Sequence, residues 1–160
     1  MGEIVVREAK LADIAGMAAV HVQSWKETYR GLAPDEMLDS PDLQERREHM
    51  WTRVLSDPEL HRKHALAEHD GQIVGIALAG SPDDEDAPRE LKLYVLYVLA
   101  AHHGTGAGQQ LLDAVIGCRP AYLWVADPNP RAQAFYRRNG FTPDGHTEAG
   151  TVPGIRMVRD

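Results

Sequence analysis

Apolar residues in the first third of the chain recur every three or four positions, which places them on one face of a helix. One such run extends over Leu11–Trp25 and a second over Leu43–Val54. The β-branched run Ile4–Val6 precedes them and predicts a first strand. Pro34 suits the first turn of a short helix that ends at Leu38. The pattern therefore predicts one strand followed by two or three helices.

The middle of the chain changes from helical spacing to patterns typical of strands. His64–His69 and Gln72–Ala79 flank the dipeptide Asp70-Gly71, the strongest short signal for a hairpin turn. Ser81–Pro88 is acidic, bounded by prolines and without large apolar residues, so it predicts a loop. Leu91–Leu99 is rich in aromatic and β-branched residues and predicts a strand buried on both faces for most of its length.

Strands and helices alternate in the last third. A helical stretch contains Leu111–Ile116, and the apolar run Ala121–Ala126 predicts another buried strand. Arg131–Asn139 predicts a short helix that ends at Gly140, and a final strand is expected near Ile155–Val158. The order βαα, ββ, βα, βα, β predicts a mixed α/β fold in one layered structure. No repeat or low-complexity linker divides the chain, so we expect residues 1–160 to form a single domain.

The charge balance narrows the classes of ligand. The 160 residues include 17 Lys+Arg and 24 Asp+Glu, which give a net charge of −7. Non-specific binding to nucleic acid or to an anionic membrane depends on surplus positive charge, so we expect neither partner. The acidic run at Asp83–Asp86 is typical of a solvated loop, and the alternative is that it attracts a cationic ligand.

Cysteine usage and the N-terminus indicate a cytoplasmic protein. Cys118 is the one cysteine, so no disulfide can form within the chain, and we expect this residue to be a buried thiol. The N-terminal segment lacks the pattern of a secretory signal, and no apolar run is long enough to span a membrane. The histidines His61, His64 and His69 have no carboxylate or cysteine at ligand spacing, so we expect no metal site.

A turn with three glycines carries the strongest chemical signal. Gly104, Gly106 and Gly108 follow the predicted strand and directly precede a helix. Successive glycines let backbone N–H groups point at one focus beside the helix N-terminus, which suits a phosphate or pyrophosphate. A nucleotide-triphosphate loop needs Lys and Ser/Thr where Gln109 and Gln110 stand, and a dinucleotide fingerprint needs Gly or Ala at position 109. The alternative is a purely structural turn at a crowded strand-to-helix junction.

A second motif follows the next buried strand. Its members are Asn129, Ala132, Phe135, Tyr136, Gly140 and Phe141. Together with the turn at His103–Gly108, this spacing resembles the GNAT superfamily of acetyltransferases, and Ser24–Leu38 resembles the opening helices of one bacterial subgroup. The resemblance covers nearly the whole chain. It implies a central mixed sheet of about six to seven strands, with splayed central parallel strands and flanking helices.

The resemblance also implies which residues hold acetyl-CoA. The backbone of Leu96, Tyr97 and Val98 would pair with the pantetheine arm. The pyrophosphate would rest on the amides of the turn, namely His103, Gly104, Thr105, Gly106, Ala107, Gly108 and Gln109. Asn129 would contact the cofactor. Tyr136 would lie near the thioester sulfur as general acid, a role that a phenol of pKa ~10 can perform for a departing thiolate.

The general base is less well indicated by the sequence. Similar chains often carry Glu on the central strand where this chain has Lys92, with Glu90 two residues earlier. Our first candidate is Glu90; His102, His103 and Asp127 are alternatives, as is a water relay. Trp25 and Tyr29 share one helix face and line either the core or an acceptor pocket.

These residues predict an N-acetyltransferase. The expected reaction is transfer of an acetyl group from acetyl-CoA to a primary amine, by direct attack in a ternary complex. The first alternative is an acyl-CoA-binding sensor, or a degenerate domain without efficient catalysis, which the missing strand glutamate favours. A kinase-like phosphate-binding domain is disfavoured because its Lys-Ser/Thr pair is absent. The acceptor is an unidentified small-molecule or peptide amine, and the resemblance implies a homodimer through the C-terminal strands.

Overall fold

The computed structural model describes residues 2–58 and 62–160, which are organised around a seven-stranded sheet. The strands are β1 Ile4–Arg7, β2 Arg62–His69, β3 Gln72–Gly80, β4 Lys92–Val98, β5 Ala121–Ala126, β6 Thr142–Glu148 and β7 Gly154–Arg159. Their spatial order is β1-β2-β3-β4-β5-β7-β6. Neighbouring strands are antiparallel except β4 and β5, which are parallel. The predicted mixed α/β fold with six to seven strands is confirmed.

Helices pack on both faces of this sheet. They are α1 Ile14–Tyr29, α2 Asp35–Leu38, α3 Leu43–Ser56, α4 Ala107–Val115 and α5 Pro130–Arg138. Short 3-10 turns at Leu11–Asp13 and Ala100–His102 lead into α1 and follow β4. The helices predicted from apolar spacing are all present, with boundaries within a few residues of those expected.

Alternating side chains on β3 divide the core in two. Ile76 and Leu78 pack with α1 and α3, where the ring of Trp51 is fully buried. Ala77 and Ala79 point to the opposite face and pack with α4. Since burial of a large aromatic ring stabilises strongly, truncation of Trp51 to alanine is expected to cost about 3–5 kcal/mol.

The hairpin between β2 and β3 forms as predicted. Asp70 and Gly71 both have positive φ, 52° and 78°, as a two-residue type I′ turn requires. A β-bulge follows on β4, because Val95 pairs with Leu78 while Leu93 pairs with Ala79. The extra residue of this bulge is Tyr94, which packs on the α1/α3 face together with Val95.

Three expectations from the sequence are corrected. β6 was not foreseen beside β7, because its seven residues are all exposed and show no apolar alternation. β4 is only half-buried at Leu96–Val98, because β5 diverges from it there. Cys118 is exposed, since α4 ends at Val115 and the left-handed Gly117 turns the next residue toward solvent.

The described residues form neither a membrane-spanning helix nor a cluster of metal ligands. Within them, no helix is both long enough and apolar enough to cross a membrane. They also contain no group of three or more His, Cys, Asp or Glu side chains placed to hold a metal ion. His61 lies outside the described residues.

Candidate active site

A cleft opens where β4 and β5 separate. The two strands are in parallel register only at Lys92–Tyr122 and Leu93–Leu123, and beyond these pairs they diverge. The cleft between their C-terminal halves has a volume of about 550 Å³. Ligands of open α/β sheets bind beyond the carboxyl ends of parallel strands, and this position matches that rule.

The backbone of β4 faces this opening at alternate residues. The N–H of Leu99 donates to the Val74 carbonyl of β3 at 2.9 Å. Because strand backbone groups alternate in direction, Leu96 and Val98 direct theirs toward β5, which has moved away. The Nε2 of His103 lies 3.0 Å from the Val98 carbonyl. The strand therefore offers backbone hydrogen-bonding groups to an extended ligand.

The glycine turn closes one end of the cleft. Gly104 and Gly106 have φ of 81° and 87°, and Gly106 caps the N-terminus of α4. Thr105 supports the turn, since its hydroxyl donates to the His102 carbonyl at 2.7 Å. Among the described residues, the amides of Gly104, Gly106 and Gly108 have no acceptor. These N–H groups and the helix N-terminus together favour an anion.

The side chains around the turn complete a site that suits an anionic ligand. Arg131 and Arg138 line the outer part of the cleft, although the sequence analysis did not single them out. The carboxamide of Gln109 donates to Asp113 at 3.0 Å and to Asn139 at 2.8 Å, so it is held on the α4 surface beside α5. The two arginines supply local positive charge in a chain whose net charge is −7.

Asn129 marks the start of α5 at the opposite wall. Its side-chain oxygen accepts a hydrogen bond from the Ala132 amide at 3.3 Å, which caps the helix. Pro130 occupies the first helical turn. The cap uses the oxygen of Asn129, and the residue also lines the cleft.

Tyr136 lies at the floor of the cleft. Its ring packs edge-on against Phe135 and Phe141, with centroids 5.5 and 5.8 Å away, and the residue is buried. Burial raises the pKa of the Tyr136 phenol, and nearby Tyr29 adds to that shift. The hydroxyl is therefore protonated at neutral pH and can donate a hydrogen bond to negative charge that develops in the cleft.

Tyr97 and Tyr29 extend this group of phenols. Burial raises the pKa of Tyr97, and the neighbouring Tyr29 raises it further. Tyr29 lines the cleft, whereas its helix neighbour Trp25 does not. The rings of Trp25 and Tyr29 are in edge-on contact, with centroids 5.9 Å apart. The Arg47 guanidinium lies 5.9 Å from the centroid of the Trp25 ring. Of the two predicted acceptor-pocket residues, the structure brings only Tyr29 to the cleft.

The candidate bases separate into two groups. His102 and His103 line the cleft at its glycine-turn end. Glu90 is exposed in a bend before β4, and Asp127 accepts a hydrogen bond from Gln133 at 3.4 Å outside the lining. The structure does not bring Glu90 or Asp127 to the cleft. In the part of the chain that it describes, no aspartate or glutamate lines the cleft.

Lys92 and the acidic loop are engaged with each other. The Lys92 ammonium donates to Asp83 at 2.8 Å and to Asp84 at 2.9 Å. Asp86 pairs with Arg156 at 3.3 Å. The acidic loop therefore neutralises cations of this chain, which removes most of its expected attraction for a cationic ligand.

A second cavity of about 350 Å³ lies on the α1/α3 face of β4. Its lining residues are His21, Arg47, Met50, Arg53, Val54, Arg62, Leu78, Tyr94, Val95 and Tyr97. The three lining residues from β4, namely Tyr94, Val95 and Tyr97, also line the main cleft. The two cavities therefore share one strand as a common wall. Sequence reasoning missed this cavity because its residues come from five separate elements.

His21 is a buried polar residue of the second cavity. The indole N–H of Trp51 donates to its Nδ1 at 3.1 Å. Burial lowers the pKa of His21 to about 3, and the charge of Arg47 contributes. The imidazole is therefore neutral near pH 7, with Nδ1 occupied as an acceptor and Nε2 protonated as a donor. The sequence shows His21 only as a lone histidine on an apolar helix face, which gives no sign that it lines a cavity as a neutral hydrogen-bond donor.

Comparisons with known proteins agree with this geometry. The profile of the Acetyltransferase (GNAT) family matches residues 13–141. YuaI, an uncharacterized N-acetyltransferase of Bacillus subtilis (strain 168), is 29% identical over an alignment of 161 positions that covers 96% of this chain and 88% of YuaI. The probable N-acetyltransferase Rv2775 of Mycobacterium tuberculosis is 29% identical over 153 residues, which cover 90% of this chain and 83% of Rv2775.

Solved structures show the same fold. The PaiA N-acetyltransferase of Thermoplasma acidophilum, in complex with coenzyme A, has a TM-score of 0.72 at 20% identity over 96% of this chain and 98% of PaiA. An N-acetyltransferase of Staphylococcus aureus Mu50 has a TM-score of 0.73 at 20% identity over 99% of this chain and 98% of that one. With the family match to most of its length, the chain belongs to the GNAT family and is an acetyltransferase.

Proposed function

We propose that the chain transfers an acetyl group from acetyl-CoA to a primary amine by direct attack in a ternary complex. The observation that carries this proposal is the cleft between β4 and β5, which runs from the glycine turn to the buried phenol of Tyr136. Its charge and hydrogen-bonding groups suit a ligand that is anionic at one end and extended along a strand.

The donor would lie along the open edge of β4. The amides of Gly104, Gly106 and Gly108 suit the pyrophosphate, with Arg131 and Arg138 adding positive charge at the outer wall. The backbone of Leu96 and Val98 suits the amide groups of the pantetheine arm. The relative PaiA is in complex with coenzyme A, which supports the same class of donor here.

The reaction forms one bond and breaks another. The neutral amine attacks the thioester carbon, the C–N bond forms, and the C–S bond breaks as the sulfur departs. The nitrogen passes its extra proton to water and becomes the amide. The sulfur leaves as the CoA thiol with the Tyr136 proton, and water returns a proton to the phenolate. A backbone N–H of β4 polarises the carbonyl oxygen, and the Tyr136 phenol donates to the departing sulfur. Since burial raises its pKa, the phenol is protonated at neutral pH and has a proton to donate to the developing thiolate.

Deprotonation of the amine requires a route for its proton. An amine of pKa ~10.4 is mostly protonated at neutral pH, and no carboxylate among the described residues lines the cleft. We therefore favour a water relay to solvent, with His102 and His103 as the titratable groups on its path. The same lack of a carboxylate favours the second candidate function, an acyl-CoA-binding sensor with little catalytic activity.

Two measurements test this proposal. Calorimetric titration with acetyl-CoA, with ATP as the control nucleotide, should show binding of acetyl-CoA alone; no binding at millimolar acetyl-CoA would contradict both functions. Release of CoA thiol across a panel of primary amines then separates the enzyme from the sensor. Amine-dependent thiol release supports the enzyme, and tight binding without thiol release supports the sensor.

A further inference from the structure

The second cavity carries positive charge without matching carboxylates. Arg47 and Arg62 are half-buried in its wall, and Arg53 lies exposed at its rim. None of the three forms a salt bridge with a described residue, and no aspartate or glutamate among those residues lines the cavity. The Nε of Arg62 is buried without a hydrogen-bond partner in the described part of the chain.

This arrangement differs from that of several other cations in the chain. Salt bridges to carboxylates hold Arg7, Arg30, Arg46, Lys92 and Arg156. With 24 acidic residues against 17 basic ones, counter-charges are plentiful. Burial lowers the pKa of Arg47, because water is removed from its guanidinium and no carboxylate replaces it. An anion bound in the cavity would supply that missing partner.

An aromatic contact holds one of these arginines in place, and a second arginine lies near another ring. The Arg62 guanidinium lies 3.9 Å from the centre of the Tyr94 ring, and that of Arg47 lies 5.9 Å from the Trp25 ring. Stacking on a ring fixes a guanidinium while leaving its N–H edge free for a carboxylate or phosphate. The protonated Nε2 of His21 adds a neutral donor to the same wall.

The second cavity borders the main cleft. Tyr94, Val95 and Tyr97 line both cavities, so one strand separates them. A molecule seated in the second cavity therefore lies against the same strand that forms one wall of the cleft.

We propose that the acceptor is an anionic amine, whose carboxylate or phosphate is bound by Arg47, Arg53 and Arg62 while its amino group enters the main cleft. This inference rests on the proposed acetyl transfer. It replaces the alternative of a cationic acceptor, because the arginines concentrate positive charge at the acceptor side while the acidic loop is neutralised internally.

The test compares matched amines in the thiol-release assay. Amino acids are compared with their amides and with the decarboxylated amines, and O-phosphoethanolamine with ethanolamine. The anionic member of at least one series should have kcat/KM roughly 10²-fold above its neutral or cationic counterparts, because those leave the arginines unpaired. The preferred series identifies the anion as carboxylate or phosphate. Equal or better acetylation of the uncharged and cationic amines in every series would overturn the proposal.

Variants locate the effect. Arg47→Met and Arg62→Met should each raise KM for the anionic amine roughly 10–100-fold, with acetyl-CoA affinity unchanged. Arg46→Gln is the matched control, because Arg46 lies on the same helix, pairs with Asp42 and does not line the cavity. An unchanged KM in both cavity variants contradicts the proposal. Failure of acetyl-CoA to bind wild-type protein, or of any amine to be acetylated, instead refutes the proposed function.

Discussion

Replacement of Tyr136 by phenylalanine removes one hydroxyl from the floor of the cleft. The phenylalanine ring retains the contacts with Phe135 and Phe141, whose centroids lie 5.5 and 5.8 Å away. Loss of a general acid typically lowers kcat by roughly 10²–10⁴-fold, or about 3–5 kcal/mol in the activation barrier. Since no described side chain accepts a hydrogen bond from the hydroxyl, the free energy of unfolding should change by less than about 1 kcal/mol.

The assay is CoA-thiol release at saturating acetyl-CoA and amine, with chemical denaturation alongside. Tyr122→Phe is the control, because the Tyr122 hydroxyl donates to Asp84 at 2.5 Å and the residue lines neither cavity. That variant should lose stability and retain kcat, the opposite of Tyr136→Phe. An unchanged kcat in Tyr136→Phe would refute the acid role. If Tyr97→Phe then lowered kcat, the acid would be reassigned to Tyr97.

Three further predictions concern other parts of the molecule. Gly106→Ala should weaken acetyl-CoA binding roughly 10–100-fold. The control is Gly145→Ala, because the φ of Gly145 is 90° and that of Gly106 is 87°, so both variants should cost similar backbone strain while the control leaves binding unchanged. Equal affinities of the two variants by calorimetry would contradict the placement of the pyrophosphate. Burial holds the pKa of His21 at about 3, below its unfolded value of 6.5, so the unfolded state binds more protons between these values. The free energy of unfolding therefore falls as the pH drops below about 6.5, by up to about 1.4 kcal/mol per pH unit. His21→Gln, which keeps an acceptor for the Trp51 indole, should flatten this dependence between pH 6.5 and 4 in denaturation curves, and an equally steep curve would contradict the burial argument. Cys118 should react with a maleimide in the native protein without loss of activity, and protection from labelling would contradict its exposure.

Local signals in the sequence predicted the elements that form the main cleft. The apolar run into β4, three glycines and the amphipathic start of α4 lie within one continuous segment, so spacing alone identifies them. Asn129 and Tyr136 were predicted on α5, and the structure places both in the cleft lining. Their roles toward a ligand remain predictions.

The second cavity could not be predicted in the same way. His21, Arg47 and Arg62 come from α1, α3 and β2, and only tertiary packing brings them to one cavity. Glu90 was proposed from its spacing to Lys92, but β4 begins at Lys92, so Glu90 lies in a bend ahead of the strand. β6 gave no signal because an exposed edge strand needs no apolar alternation.

The most direct test of direct acetyl transfer measures CoA thiol and acetylated amine together. With acetyl-CoA alone, the protein should release no stoichiometric burst of thiol and carry no covalent acetyl group. On addition of an anionic amine, one N-acetyl product should form for each thiol released, with intersecting double-reciprocal plots. A burst of thiol with an acetylated chain, or bound acetyl-CoA that no amine discharges, would contradict direct transfer in a ternary complex.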